Sequence, residues 1–299
     1  MAQESVTVER AEDWKTLQRL LYRDSWNEDI NRYRSSNVFR GHSNRKYTLT
    51  TSLQRFVGDS GQWDLELRLL RNFNKYAQQY IDEPESFYHL WSLAQHHGLP
   101  TQLLDWTYSP MVATFFATGG ARDVDGEILV VDYAAAHQLI PDVYRTVLEQ
   151  ADTEMFDVDL AESGTNQLLQ ESRESEHNDR IRAGSLDLFE LFELYMEMTD
   201  NHSEPYVWFF EPPPIDQRIA NQSGVLAGWF PIDPRQPMDE WLETHPEFFR
   251  RIVIPAERKQ EFRDKLDRAN INDRTLFPDL DGLAMWLTEY YSPTVKSNS

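Results

Sequence analysis

The residues best placed to do chemistry fall in four short segments, each with a glycine close by. They are FRGH at 39–42, QHHGLPTQLLDWTYSP at 95–110, RIANQSG at 218–224 and LFPDLDGLA at 276–284. Arg40 precedes Gly41. A guanidinium can grip a phosphate or carboxylate through two parallel N–H bonds, and a glycine lets other atoms come close to the backbone. Thr107 and Ser109 offer hydroxyls that can orient a sugar. Trp106 and Tyr108 offer flat faces for stacking. Asp105, Glu211, Asp279 and Asp281 are the nearby carboxylates.

Each of these residues also has a plain structural reading. Arg40 could close an ion pair with Asp105 or Asp281, and Trp106 could be core. Ser109 stands before Pro110 and suits a helix N-cap, with ligand contact second. His96 and His97 could be helix-end histidines satisfied by carbonyls; beside Gly98 and Thr101 they could equally belong to a site. Adjacent histidines point to different sides of a helix, so one metal cannot readily use both, and zinc is not expected. Asp281, directly before GLAMWL, suits a cap, although Asp279 and Asp281 could also hold a cation or pair with arginines. Gln222 to Gly224 reads equally as a tight turn.

The elements that must position these residues can be read from pattern. Residues 9–30 read as a helix, and 37–41 as a short strand. Residues 47–53 read as a strand or extended loop. Helices follow at 65–80 and 87–98, with Gly98 as a C-terminal stop. Residues 103–107 form a strand or tight turn, and Ser109-Pro110 opens a helix to about Ala117. GEILVVDY at 126–133 is a continuous apolar run, so a central strand is expected. Further strands are expected at 206–211, 224–230 and 249–254. A short helix capped by Asp216, a helix over 256–269 and another over 281–287 complete the pattern. The stretch from about 134 to 203 is rich in acids, holds no convincing strand and has a helix at 186–198. It reads as an acidic helical insertion or a partly mobile flap.

The expected fold is therefore α+β: a mixed or antiparallel sheet with surrounding helices. No G-x-G-x-x-G follows a strand and no Walker lysine loop is present, which argues against Rossmann and P-loop folds. With 40% hydrophobic and 13% aromatic residues among 299, the chain can bury a real core. It has no cysteine, which excludes disulfides, thiolate metal sites and a cysteine nucleophile. Fifty acidic residues against 29 basic ones give a net charge of −21. Such a chain repels nucleic-acid backbones and anionic lipids. The charge also leaves a nuclease with a basic groove as the weakest enzyme reading. No basic leader or long apolar run is seen, so a cytoplasmic location without membrane association is expected.

Taken together and in order, the four segments resemble the FRG-domain family. Its pattern includes the arginine-glycine strand, Q-H-x-G-x-P-T-x-L-L-D-W-T, R-x-x-x-Q-x-G and a late F-P-D-L-D-G. The resemblance covers about residues 37–287 of what is expected to be a single domain over 1–299. Phe39-Arg40-Gly41 also looks like the first-strand motif of R-S-E ADP-ribosyltransferases, and Asp105 to Ala117 is similar to their S-T-S segment. That likeness implies a split, transferase-like sheet and NAD as substrate. It implies Arg40, Asp105 and Gln222 as the reacting set. Gly41, His97, Thr101, Trp106, Thr107, Ser109 and Arg218 would bind the ligand. The transferases' third motif, E-x-E, is absent, and Gln222 carries no negative charge. The family resemblance further implies an effector of a bacterial toxin or anti-phage system. The alternative is a non-catalytic nucleotide sensor or protein-interaction module, with the acidic insertion as the docking surface for a protein partner.

Overall fold

The computed structural model describes residues 5–58, 65–81, 84–171, 189, 204–214, 216–230, 233 and 235–292. The elements in chain order begin with β1 (Thr7–Arg10), α1 (Trp14–Leu21), a small hairpin of β2 (Trp26–Asn27) and β3 (Arg32–Tyr33), and β4 (Asn37–His42). Next come α2 (Ser52–Val57), α3 (Leu65–Ala77), α4 (Phe87–His96), β5 (Leu103–Thr107), α5 (Pro110–Thr118) and β6 (Gly126–Asp132). Then follow α6 (Tyr133–Ala136), α7 (Asp142–Gln150), α8 (Val158–Glu171), β7 (Tyr206–Phe210), α9 (Gln217–Gln222) and β8 (Gly224–Phe230). The chain continues with α10 (Met238–Leu242), β9 (Phe249–Ile254), α11 (Lys259–Arg268), α12 (Asp273–Leu276) and α13 (Leu280–Tyr290).

Seven strands form one mixed sheet in the order β1-β9-β6-β4-β5-β8-β7. β1 runs parallel to β9, and every other pairing is antiparallel. β6 sits between β4 and β9, as its unbroken apolar run requires. The sheet is not uniformly joined. β4 pairs with β6 over Asn37 to His42, and β5 pairs with β8 over Leu103 to Thr107. Between β4 and β5 the only register pair is Phe39 with Thr107. Thr107 ends β5, and from that pair the two halves of the sheet diverge.

Helices cover one face in two groups that meet at the split. Over β4, β6 and β9, helices α1, α5 and α11 bury Phe39, Ile128, Val130, Ile252 and Ile254. Over β5, β8 and β7, helices α3, α4, α7 and α8 bury Leu103, Leu226, Trp208 and Phe210. The other face buries Val38, Leu104, Trp106, Val131 and Trp229 under α6 and α10. A close approach seats α5. A Cβ on Gly41 would lie 2.0 Å from the Ala113 carbonyl oxygen, and one on Gly126 would lie 2.2 Å from that of Ala117.

Several local expectations are corrected. The helix expected over 9–30 is confined to α1, because Asp13 caps it by accepting the Thr16 amide at 2.7 Å. β1 precedes it, and the small hairpin takes up Trp26 to Tyr33. Residues 47–53 form no strand; Thr51 and Gln54 make a reciprocal capping box that opens α2. Asp279, not Asp281, caps α13, accepting the Gly282 amide at 2.7 Å. The part of the acidic stretch that is described, 134–171, is largely helical, as expected, and buries Tyr144, Val147, Phe156 and Ala161 in the core. The helix expected at 186–198 lies outside the described residues apart from Phe189, as do Pro293 to Ser299.

His137 ties this helical stretch to the sheet. Its Nδ1 donates to the Glu154 carbonyl and its Nε2 accepts the Phe209 amide, both at 2.9 Å. Burial pushes its pKa from the ordinary 6.5 down to about 4. The unfolded imidazole therefore takes up a proton before the folded one does. Its stabilising contribution is complete above pH 6.5 and is lost as pH falls toward 4, on the order of 3 kcal/mol in all. Denaturant melts between pH 7 and 4.5 should show this slope, and His137→Gln, which keeps a donor and an acceptor, should flatten it. A second expectation concerns the seat of α5. Gly41→Ala must push backbone against backbone and should cost about 3 kcal/mol or more, read as a fall in thermal midpoint.

Candidate functional site

The split between β4 and β5 opens into a cavity of about 270 Å³. β4 lines it with Phe39, Arg40 and Gly41, and β5 with Asp105, Trp106 and Thr107. The last turns of α4 add Ser92, Gln95 and His96, and α5 adds Val112 and Phe116. α9 adds Arg218, Ile219 and Gln222, with Gly224 to Leu226 of β8 behind them.

Arg40 alternates away from Gly41 and reaches across the gap between the strands. Its Nη1 donates to the Asp105 carbonyl oxygen, and its Nε donates to His42 Nε2 at 3.2 Å. The first bond takes the place of a ladder bond that the split strands cannot make. Burial pulls the Arg40 pKa below its ordinary value; the charge of Asp105 works against this and that of Arg55 adds to it. A guanidinium remains protonated regardless. The ion pairs considered with Asp105 or Asp281 do not form: among the described residues no carboxylate lies within salt-bridge distance of Arg40.

The support beneath Arg40 is a polar chain on the same face of the sheet. Because His42 Nε2 accepts from Arg40, its proton sits on Nδ1, 3.6 Å from Glu127 Oε1. Burial lowers the His42 pKa, which keeps that neutral tautomer in place. Glu127 is in turn held by Arg251 at 3.0 Å, and Arg251 by Glu243 at 2.7 Å.

Asp105 faces the cavity from β5. Its carboxylate accepts the Gln95 amide at 3.2 Å. Gln95 is itself held by the Thr101 hydroxyl. Thr107 fixes the junction with α9: its hydroxyl donates to the Gln222 carbonyl at 2.6 Å and accepts the Ser109 amide at 2.9 Å. The Gln222 side chain donates to the Leu276 carbonyl at 3.0 Å, and Asn221 donates to Thr275 at 2.7 Å. Phe277 lies under the Arg218 guanidinium, 5.0 Å from ring centre to charge. The late F-P-D-L-D-G segment is therefore a buttress for α9. Ser223 turns the chain with φ 48°, so the turn reading of Gln222 to Gly224 holds alongside the cavity reading.

Seven residues singled out from the sequence thus line one cavity: Arg40, Gly41, Asp105, Trp106, Thr107, Arg218 and Gln222. Three do not. His97 is the exposed C-cap of α4; helix geometry turns it away and points His96 inward instead. Thr101 is buried behind Gln95 and acts through it. Ser109 caps α5, accepting the Val112 amide at 3.3 Å. The absent Cβ of Gly41 admits α5 rather than a ligand. Of the other carboxylates considered, Glu211 accepts from Tyr108 at 2.8 Å, and neither Asp279 nor Asp281 reaches the cavity.

Sequence reasoning missed Ser92, Gln95 and His96 as a set. They stand at i, i+3 and i+4 on α4, and a serine inside FYHLWSLAQH was the available signal. Two buried donors stand at residues of the lining. Ser92 Oγ, in a residue 1% exposed, and Trp106 Nε1, in one 3% exposed, have no hydrogen-bond partner among the described residues. Buried donors without partners are uncommon, and Trp106 packs with Leu104, Val225 and Trp229 on the sheet face away from α4. Among the described residues no group of three His, Cys, Asp or Glu side chains converges to hold a metal, and no helix is long and apolar enough to cross a membrane.

Residues 35–126 match the family model of the FRG domain. That segment supplies β4, α4, β5 and α5, hence the two diverging strands and the helices over them. α9 and β8, which close the cavity, lie beyond it. No curated protein and no solved structure matches the chain.

The Thr107 hydroxyl joins three segments at once. Thr107→Val keeps the shape but strands the Ser109 amide and the Gln222 carbonyl. It should cost about 1–3 kcal/mol in a chemical melt.

Proposed function

We propose that this chain, which carries an FRG domain over residues 35–126, cleaves the nicotinamide–ribose bond of NAD. It would pass the ADP-ribosyl group to a target or to water, as an effector in a bacterial toxin or anti-phage system. One observation carries the reading. Among the described residues Asp105 is the one carboxylate lining the cavity, and Arg40 bonds its backbone carbonyl rather than its carboxylate. A carboxylate so placed can stabilise the cationic ribosyl centre that develops as nicotinamide leaves. Arg40 and Arg218 put positive charge around the same cavity in a chain of net charge −21, which favours a phosphate-bearing ligand. At about 270 Å³ the cavity is at the small end for ligand sites. It suits a ribose with one flat ring, with the diphosphate at its mouth beside the arginines and the adenosine outside.

A second reading has its own support. Gln222, a neutral amide bonded to the Leu276 carbonyl, falls in the segment that the sequence likeness would align with the third motif of R-S-E transferases. A nucleotide sensor would need no carboxylate there.

Nicotinamide release from NAD separates the two. The wild-type protein should release nicotinamide, alone or with cell extract as acceptor. Asp105→Asn should slow release by roughly 10²–10³-fold, and Arg40→Ala should weaken ADP-ribose binding about ten- to hundredfold. ADP-ribose binding without any nicotinamide release would decide for the sensor. Neither binding nor release would remove both readings.

A further inference from the structure

His96 ends α4 at the cavity, and its ring is held in one orientation. Its Nε2 lies 2.6 Å from Asp216 Oδ2, and its side chain is only 11% exposed. The other oxygen of Asp216 accepts the amides of Arg218 at 2.8 Å and Ile219 at 3.1 Å, so the carboxylate is fixed by the first turn of α9. Burial acts to raise the Asp216 pKa, but these amides and His96 outweigh it and hold the group below its ordinary value. An ionised carboxylate at this distance takes its hydrogen bond from Nε2–H. The ring's lone pair then sits on Nδ1. Among the described residues Nδ1 has no hydrogen-bond partner.

The charged and titratable groups around the ring come from four elements. They are Asp216 and Arg218 from α9, Arg40 from β4, Asp105 from β5, and His97, the C-cap of α4, whose ring centroid is 5.2 Å away. Of these, Asp216 alone is hydrogen-bonded to the imidazole. Gln95 and His96 are consecutive, yet one holds Asp105 and the other is held by Asp216. One helix end thus brings a carboxylate and an oriented imidazole to the same cavity.

We infer that His96 is the general base of this site, with Asp216 as its positioning residue, and that the acceptor is a neutral O–H nucleophile. This rests on the NAD reading above. Nicotinamide departs as a neutral base, so the leaving side needs no acid. The acceptor oxygen bonds to ribose C1′ as the C1′–N bond breaks, and the ring nitrogen keeps that electron pair. The acceptor's proton passes to His96 Nδ1 and then to solvent. A carboxylate acceptor has no proton to surrender and would gain nothing from the pair. A guanidinium acceptor would meet Arg40 and Arg218 at the same cavity.

The test measures kcat for NAD consumption by the full chain against pH. The wild type should show an acidic limb, where the base must lose its proton. His96→Gln should abolish that limb and lower kcat by roughly hundredfold, with ADP-ribose affinity unchanged. Azide, an anionic nucleophile that needs no base, should restore turnover in His96→Gln as the glycosyl azide. A merely structural histidine would not be rescued in this way. Asp216→Asn keeps the α9 cap and should lower kcat more than it changes KM. Products distinguish the acceptor: free ADP-ribose marks water, and ADP-ribose joined to methanol or to a protein hydroxyl marks an alcohol. Both support the inference. An unaltered pH limb, failure of azide rescue, or product on a guanidinium or carboxylate overturns it while the NAD reading stands. Absence of nicotinamide release from the wild type overturns both.

Discussion

The single register pair between Phe39 and Thr107 is the constraint on which the rest of the molecule turns. Two half-sheets, each well paired within itself, are held together there and diverge from it. Diverging strands leave backbone groups without ladder partners, and such groups must be satisfied in some other way. Arg40 supplies part of the answer by donating to the Asp105 carbonyl across the gap. Its remaining N–H groups are not consumed by a carboxylate. The helices on the face opposite the Arg40 side chain follow the same division, one group on each half-sheet, so their junction falls over the opening.

What keeps the opening from collapsing is a set of bonds made mostly to backbone. Thr107 holds the Gln222 carbonyl, Gln222 holds Leu276, and Asp216 caps α9 while orienting His96. On the far side, α5 is pressed against β4 and β6 through two glycines. The walls thus come from helix ends and strand ends fixed by capping and close packing. Site residues mounted on such elements are held more tightly than residues on loops.

These facts explain what the sequence did and did not disclose. Arg40, Asp105, Thr107, Arg218 and Gln222 were legible because polar residues at strand and helix ends beside glycines have few structural reasons to be there. The α+β class and the central place of GEILVVDY were legible from period and continuity. His96 was confused with His97 because adjacent histidines differ only by their angle about the helix. The register of α4, marked by Ser92, had to be used to choose between them. Thr101 looked like a ligand group because its part, holding Gln95, is visible only in three dimensions. β1 was missed because a short parallel edge strand has no period of its own and is defined by its distant partner β9. The acidic stretch read as an insertion or flap because its charges outnumber the few large side chains that α7 and the turn before α8 sink into the core.

Charge completes the account. An excess of acids spread over the surface makes the molecule a poor partner for anions in general. A phosphate-bearing ligand can be received only where cations are concentrated and acids are otherwise engaged. Around the cavity Asp216 is spent on His96 and two amides, and Glu211 on Tyr108. Beneath it, Glu127 is spent on Arg251. Arg40 and Arg218 are paired with no carboxylate among the described residues and remain as the local field. Between them Asp105, tethered by the uncharged Gln95, keeps its negative charge directed at the cavity rather than neutralised by a neighbour. The Arg40 guanidinium bonds the Asp105 backbone across the gap, while the Asp105 carboxylate is held by Gln95 on the side of α4. The split in the sheet is what lets both side chains reach the opening.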